Sequence, residues 1–160
     1  MATPKLNLLI WRAFNEKLPT AKALRRRGVQ IASEVCKVCG LSSESAKHVF
    51  VHCPFARLVW IQIWLWLKIP TRNHMESLKE RMLDRRDWSR KKAKVIFAIY
   101  LSTTWNLWKN RNNKVFNSAT TEVNKLLEEI KEETFDWISR RSKLQGVTWH
   151  EWRSFSVLDV

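Results

Sequence analysis

All three cysteines of the chain fall between positions 36 and 53, and they share that window with His48. Nothing else in the sequence limits the fold as tightly. Cys36 and Cys39 are separated by two residues, eight residues lead to His48, and four more lead to Cys53. Two thiols at that spacing can face one ion from a tight turn, and Gly40 leaves the backbone free to come close. A histidine and a third thiol on the following segment complete a tetrahedral Cys3His set. Soft sulfur plus imidazole, with no carboxylate, suits zinc. Four protein ligands leave no open position for water, so the ion is expected to be structural, contributing folding energy on the order of 10 kcal/mol. His52 is the alternative to His48, but it adjoins Cys53 and would give tighter geometry, so His48 is preferred.

An odd number of cysteines, all in one place, argues against a disulfide framework and for a reduced, intracellular compartment, nucleus or cytoplasm. No signal peptide is visible, because the segment from Met1 passes Pro4 and reaches Trp11 and Arg12 without an apolar core and cleavage site. The most apolar runs, 58–69 and 95–108, are interrupted and too short for a bilayer, which needs roughly 20 residues.

Charge bounds the partners. Lysine and arginine number 29 against 15 acidic residues, a net charge of +14. Residues 1–60 hold 10 basic and 3 acidic side chains, residues 61–120 hold 13 and 4, and residues 121–160 hold 6 and 8. A polyanion such as RNA or DNA is therefore expected to contact the first three-quarters of the chain. Arg25, Arg26 and Arg27, with Lys37 and Lys47 flanking the metal-binding turn, are the leading phosphate contacts. Arg85, Arg86, Arg90, Lys91, Lys92 and Lys94 form a second basic patch. The bland reading of either patch is a solvated helix face.

With 3 glycines and 4 prolines, the chain favours long helices. Thr3 and Pro4 predict a helix start, with Leu6, Leu9, Ile10, Ala13 and Phe14 in helical register to about Glu16. Thr20 caps a short helix carrying Arg25 to Arg27, with Leu24 as its buried side, and Gly28 stops it. Residues 29–35 read as an extended connector. Serines within Leu41 to Ser45 offer caps for a short helix holding His48, Val49 and Phe50, and Pro54 opens a central core helix to about Lys68 with Trp60, Trp64 and Trp66. Residues 69–71 mark a boundary. Beyond it, a short helix over 75–83, a long one over 91–116 capped by Asp87 or Ser89, and a last one over 122–141 are expected. Ser118 to Thr121 separates the last two, and Gln145-Gly146 ends the final helix. Helical spacing assigns Trp11, Trp60, Trp64, Trp105, Trp108 and Trp137 to core packing; Trp149 and Trp152 lie in a tail without a clear period. The fold class is mainly α: a small zinc-stapled helical domain over 1–70, then a helical extension over 71–160.

Pro4-Lys5-Leu6 leading to Trp11-Arg12, then Leu18-Pro19-Thr20, Leu24, Arg26-Arg27-Gly28, the Cys36, Cys39, His48, Cys53 set, Cys53-Pro54-Phe55-Ala56 and Val59-Trp60 together resemble the zinc-binding domain of plant non-LTR (LINE-type) retrotransposon reverse transcriptases. Trp108-Lys109, Arg111-Asn112, Val115-Phe116 and the closing Trp149 and Trp152 resemble the polyprotein tail that follows it. The resemblance implies a non-catalytic module downstream of the polymerase that assists template RNA or target DNA binding, with the four ligand roles on Cys36, Cys39, His48 and Cys53. It implies a reverse transcriptase domain as a second partner. Lys37 stands where the family often has proline. No paired aspartate is present, so the polymerase's own metal-binding signature is missing, and the chain looks like a detached end of a polyprotein or a gene fragment. The rival reading is a zinc-stabilised protein-interaction domain, favoured by the acidic last helix. No nucleophile triad, phosphate-cradling glycine loop or carboxylate pair points to an enzyme, and His74 and His150 are isolated; no small-molecule substrate is expected.

Overall fold

The computed structural model describes residues 4–71, 76–84, 88–119, 122–141 and 146–155. Among them the secondary structure is helical: α1 (Pro4–Phe14), α2 (Ala21–Arg26), a single wide turn of π-helix (His48–His52), α3 (Pro54–Trp66), α4 (Leu78–Leu83), α5 (Arg90–Asn117), α6 (Val123–Arg141) and α7 (Trp149–Ser154). One isolated antiparallel bridge joins Val35 to Ser43. Among the described residues no helix is long and apolar enough to cross a membrane.

Local chemistry accounts for most of the boundaries. Thr20 and Ser89 accept from Ala23 N and Lys92 N and so satisfy orphan donors at the starts of α2 and α5. Pro54 occupies the first turn of α3, where its missing N–H costs nothing. Ser118 ends α5 in the left-handed region at φ 52°. The helix expected from 75 starts instead at Leu78, because the hydroxyl of Ser77 caps it through Glu80 N. Thr3, Met75, Asp87, Thr121 and Gln145 lie outside the described residues.

A hydrophobic core runs through both halves of the chain, drawing on Leu9 and Ala13, on Trp60, Ile63 and Leu67, and on Ile96, Ile99, Leu126, Ile130 and Trp152. The segments 1–70 and 71–160 thus pack on each other, α1 and the π-turn against α5, and α3 against α6. Several of the buried tryptophans have their N–H groups satisfied. Trp60 donates to Phe50 O at 2.8 Å, Trp64 to the Tyr100 hydroxyl at 3.1 Å, and Trp152 to Lys131 O at 2.9 Å. Such pairing lets an indole enter a core without leaving an orphaned polar atom.

The centre is shared between α3 and α5 rather than held by α3 alone. α5 is buried on nearly all sides along its middle, from Val95 to Arg111. That stretch includes Ser102, Thr103, Thr104 and Asn106, each at most 1% exposed. Thr103 and Thr104 donate back to carbonyls one turn earlier, and Ser102 and Asn106 donate to Glu133 of α6 at 3.0 and 2.7 Å. Glu133, one of the acidic residues that suggested an external partner for α6, is therefore engaged within the chain.

Three expectations need correction. Trp11 is 51% exposed, with Lys17 Nζ 4.6 Å from its ring centroid, because α1 turns Leu6, Leu9 and Ala13 inward. On α2 the buried residue is Ala23, and Leu24 is half-buried. The tail is ordered as α7 by a capping box in which Thr148 and Glu151 satisfy each other's backbone N–H groups; Trp152 is fully buried against Trp66, with ring centroids 5.5 Å apart.

Candidate metal centre

The sequence builds the site from a small hairpin and a helix start. Cys36 N donates to Ser42 O and Glu44 N to Glu34 O, both at 2.8 Å, closing two short extended segments around the turn. Within it, Gly40 N donates to Cys36 O, and Gly40 sits at φ +70°, a conformation costly for a residue with a Cβ. The turn brings Cys36 and Cys39 to one side. The Ser45 hydroxyl accepts from His48 N at 3.0 Å and opens the π-turn. A π-turn widens the helix by one residue and often marks a functional position. Here it directs His48 toward the cysteines, and Cys53 N then donates to His48 O at 2.7 Å, placing the third sulfur at the start of α3.

The ligand atoms of Cys36, Cys39, His48 and Cys53 lie within 4.8 Å of one another, and Cys39 Sγ and His48 Nε2 are 3.3 Å apart. Bonds of ~2.3 Å to sulfur and ~2.0 Å to nitrogen would set ligand separations of roughly 3.5–3.8 Å around a tetrahedral ion, so the widest separation would need to close by only about 1.0–1.3 Å. A cavity of about 10 Å³ lies against Cys36 and Cys53, walled by Val38, Val49, Phe55 and Leu107. It is close to the smallest volume that admits a water-sized sphere, roughly 10–15 Å³. Asn110 also lines it, with an Oδ1 that has no partner.

Cys36 and Cys53 share a hydrogen bond: the proton it holds pushes the Cys36 thiol far above the ordinary cysteine value, and burial adds to the shift. Cys53 is lowered by accepting from Cys36, and the backbone N–H groups of Ala56 and Phe55 at the start of α3 also favour its thiolate. Burial lowers His48, against the opposing pull of Glu44, so its imidazole stays neutral and available as a ligand. A bound dication removes the need for the shared proton. His52 stands apart, with Nε2 3.4 Å from Glu76.

Behind the ligands sits an arrangement that sequence reasoning missed. Glu44, 1% exposed, accepts from Arg111 Nε at 3.0 Å and from Arg111 Nη2, and its Oε1 also accepts from Ala21 N at 2.9 Å. Lys22 N donates to Glu44 O, and Arg111 Nη2 reaches Pro19 O. One carboxylate thereby ties the metal-binding hairpin to α2 and α5. Its only trace in the sequence was Arg111-Asn112 within the resemblance.

The expected phosphate contacts are all exposed: Arg25, Arg26 and Arg27 on and after α2, Lys37 in the turn and Lys47 before the π-turn. Arg25 lies 3.4 Å from the half-buried Glu34, and the exposed Arg26 and Lys47 lie 4.0 Å from Glu16 and 3.6 Å from Glu76, surface pairs of small energetic worth. In the second patch Arg90, Lys91 and Lys94 are exposed and Lys92 is half-buried, while Arg85 and Arg86 lie outside the described residues, as does His74. His150 is exposed on α7.

Comparison with curated proteins and with solved structures finds no match. Residues 1–60 match the family described as zinc-binding in reverse transcriptase. The tetrad of Cys36, Cys39, His48 and Cys53 lies within the matched residues and could hold one zinc ion.

Proposed function

We propose that the chain is a zinc-stapled, non-catalytic nucleic-acid-binding module of a non-LTR retrotransposon reverse transcriptase, of the plant LINE type, acting inside the cell on RNA or DNA beside a polymerase domain. Residues 1–70 form the metal module and 71–160 the extension packed against it. The observation that carries this reading is the convergence of four zinc-type ligands in a segment matching a reverse-transcriptase zinc family. The charge supports it. Arg25, Arg26, Arg27, Lys37 and Lys47 project into solvent around the metal-binding hairpin, within a stretch carrying 10 basic and 3 acidic side chains.

Such contacts neutralise phosphates, so affinity should fall with salt at a slope of about −0.9 per contact on duplex DNA and about −0.7 on single strands. Reversing Arg25, Arg26 and Arg27 to glutamate should weaken binding and flatten that slope by up to three contacts. An affinity unchanged by the reversal would remove these residues from the interface. No binding to RNA or DNA at low salt would favour a protein-interaction domain. Leu58 and Leu65, both more than half exposed on α3, are the apolar surface that this second reading would use.

A further inference from the structure

Between α1, α2 and the second half of α5 lies an open groove of about 600 Å³. Its volume is in the range of pockets that enclose whole small molecules, roughly 300–1,000 Å³. Its floor is aliphatic, with Leu9 and Leu18, and one side is aromatic, with Trp105, Trp108 and Phe116. Trp105 is half-buried and Phe116 is 76% exposed, so ring surface is open to a visitor. Lys5 and Arg12 line it from α1, seven residues apart and so about 10 Å from each other along the helix axis. None of the described lining residues is acidic.

We propose that this groove receives the unstacked bases of a single-stranded nucleic acid, with Phe116 and Trp105 as stacking platforms and Lys5 and Arg12 on the backbone. The proposal rests on the nucleic-acid reading above and narrows it to single strands. A cationic groove bearing aromatic rings is what sequence-tolerant single-strand binding needs, since every base offers a π-face while phosphates require positive charge. Bases paired inside a duplex cannot enter such a groove. The exposed patch adjoins it in the chain: Leu24 of α2 lines the groove, and the exposed Arg25, Arg26 and Arg27 are the next three residues. A strand leaving the groove would therefore run onto guanidinium groups.

The test uses the full zinc-loaded chain with three fluorescein-labelled probes, a 12-nucleotide RNA, the DNA of the same sequence and its duplex, each at two salt concentrations. Single strands should bind more tightly than the duplex. Phe116→Ala should weaken single-strand binding roughly five- to a hundredfold, the worth of one base–aromatic stack, and leave duplex binding unchanged, while Phe116→Trp should restore it. Phe116 is exposed, so its loss does not threaten the fold. A 2-aminopurine in the strand should be quenched on binding to the wild type and less so on binding to Phe116→Ala. Equal affinity for strand and duplex, with Phe116→Ala neutral on both, would overturn the groove and leave the basic-patch reading standing. Failure of all three probes to bind would overturn both. Binding of a synthetic acidic Leu/Glu amphipathic peptide in their place would assign the groove to a protein partner.

Discussion

At the residue scale, the metal ligands depend on side chains that do not touch the metal. Glu44 and Arg111 are both nearly inaccessible, and between them they fix the hairpin, α2 and α5. Removing one member of a buried pair strands the other's charge, which costs about 3–5 kcal/mol. Glu44→Ala should thus lower the stability of the zinc-loaded protein by that amount in urea denaturation. The double variant Glu44→Ala with Arg111→Met should recover most of it, since no charge is then left buried. Arg81 shows the converse. It is 4% exposed, stacked 5.2 Å from the rings of both Trp60 and Trp64, with Nε and Nη1 unpartnered, and desolvation brings its pKa down to about 10. Arg81→Met should be neutral or stabilising in thermal melts, because an apolar side chain of similar length needs no partner there.

His48 gives a pH prediction whose sign follows from burial. Its folded pKa lies below the ordinary imidazole value of 6.5, so the unfolded chain binds more protons as pH falls through that value. The metal-free protein should lose stability from about pH 6.5 downward until the depressed folded value is passed, and His48→Gln should remove that part of the dependence. Denaturation of the metal-free protein between pH 8 and 5 measures it; a stability that rises over this interval, with no change in the variant, would contradict the burial argument.

At the element scale, α7 shows how a short helix is held by its surroundings. Six residues cannot sustain a helix alone. Trp152 anchors it through contacts with Trp66, Phe135 and Phe155 and through its bond to Lys131 O. Trp152→Ala should cost about 3–5 kcal/mol, against about 1 kcal/mol for Thr148→Ala, which removes the cap alone. Chemical denaturation of the two variants tests that order. The same contrast explains what could be read in advance. Starts fixed by adjacent residues, such as Thr20, Pro54 and Ser89, were legible because a cap and its target lie within one turn. α7 was not, because its stability comes from α3 and α6. The buried polar middle of α5 was illegible for the same reason: Ser102 and Asn106 look like solvent-facing residues until Glu133 of another helix is brought beside them. Trp11 failed in the opposite direction: the register of Leu6, Leu9 and Ala13 marked the core side of α1, and at 100° per residue Trp11 falls on the side away from it.

At the scale of the whole molecule, the tetrad was legible because metal ligation imposes residue types and spacing that packing does not, and the structure gathers the same four residues that the spacing selects. Its link to the rest of the molecule was not, since Glu44 and Arg111 lie 67 positions apart. Through that pair, and through contacts of the π-turn with α5, the metal-binding segment is joined to a core that extends into α6 and α7. Loss of the metal should therefore be felt beyond the hairpin.

The most direct measurement is metal content paired with folding. Protein purified without chelator should carry one zinc per chain, and excess chelator should lower its helical circular dichroism and its melting temperature together. Cys39→Ser and His48→Ala should show the same loss before any chelator is added. A protein that is metal-free as purified, equally helical and equally stable, with both variants indistinguishable from it, would contradict the account.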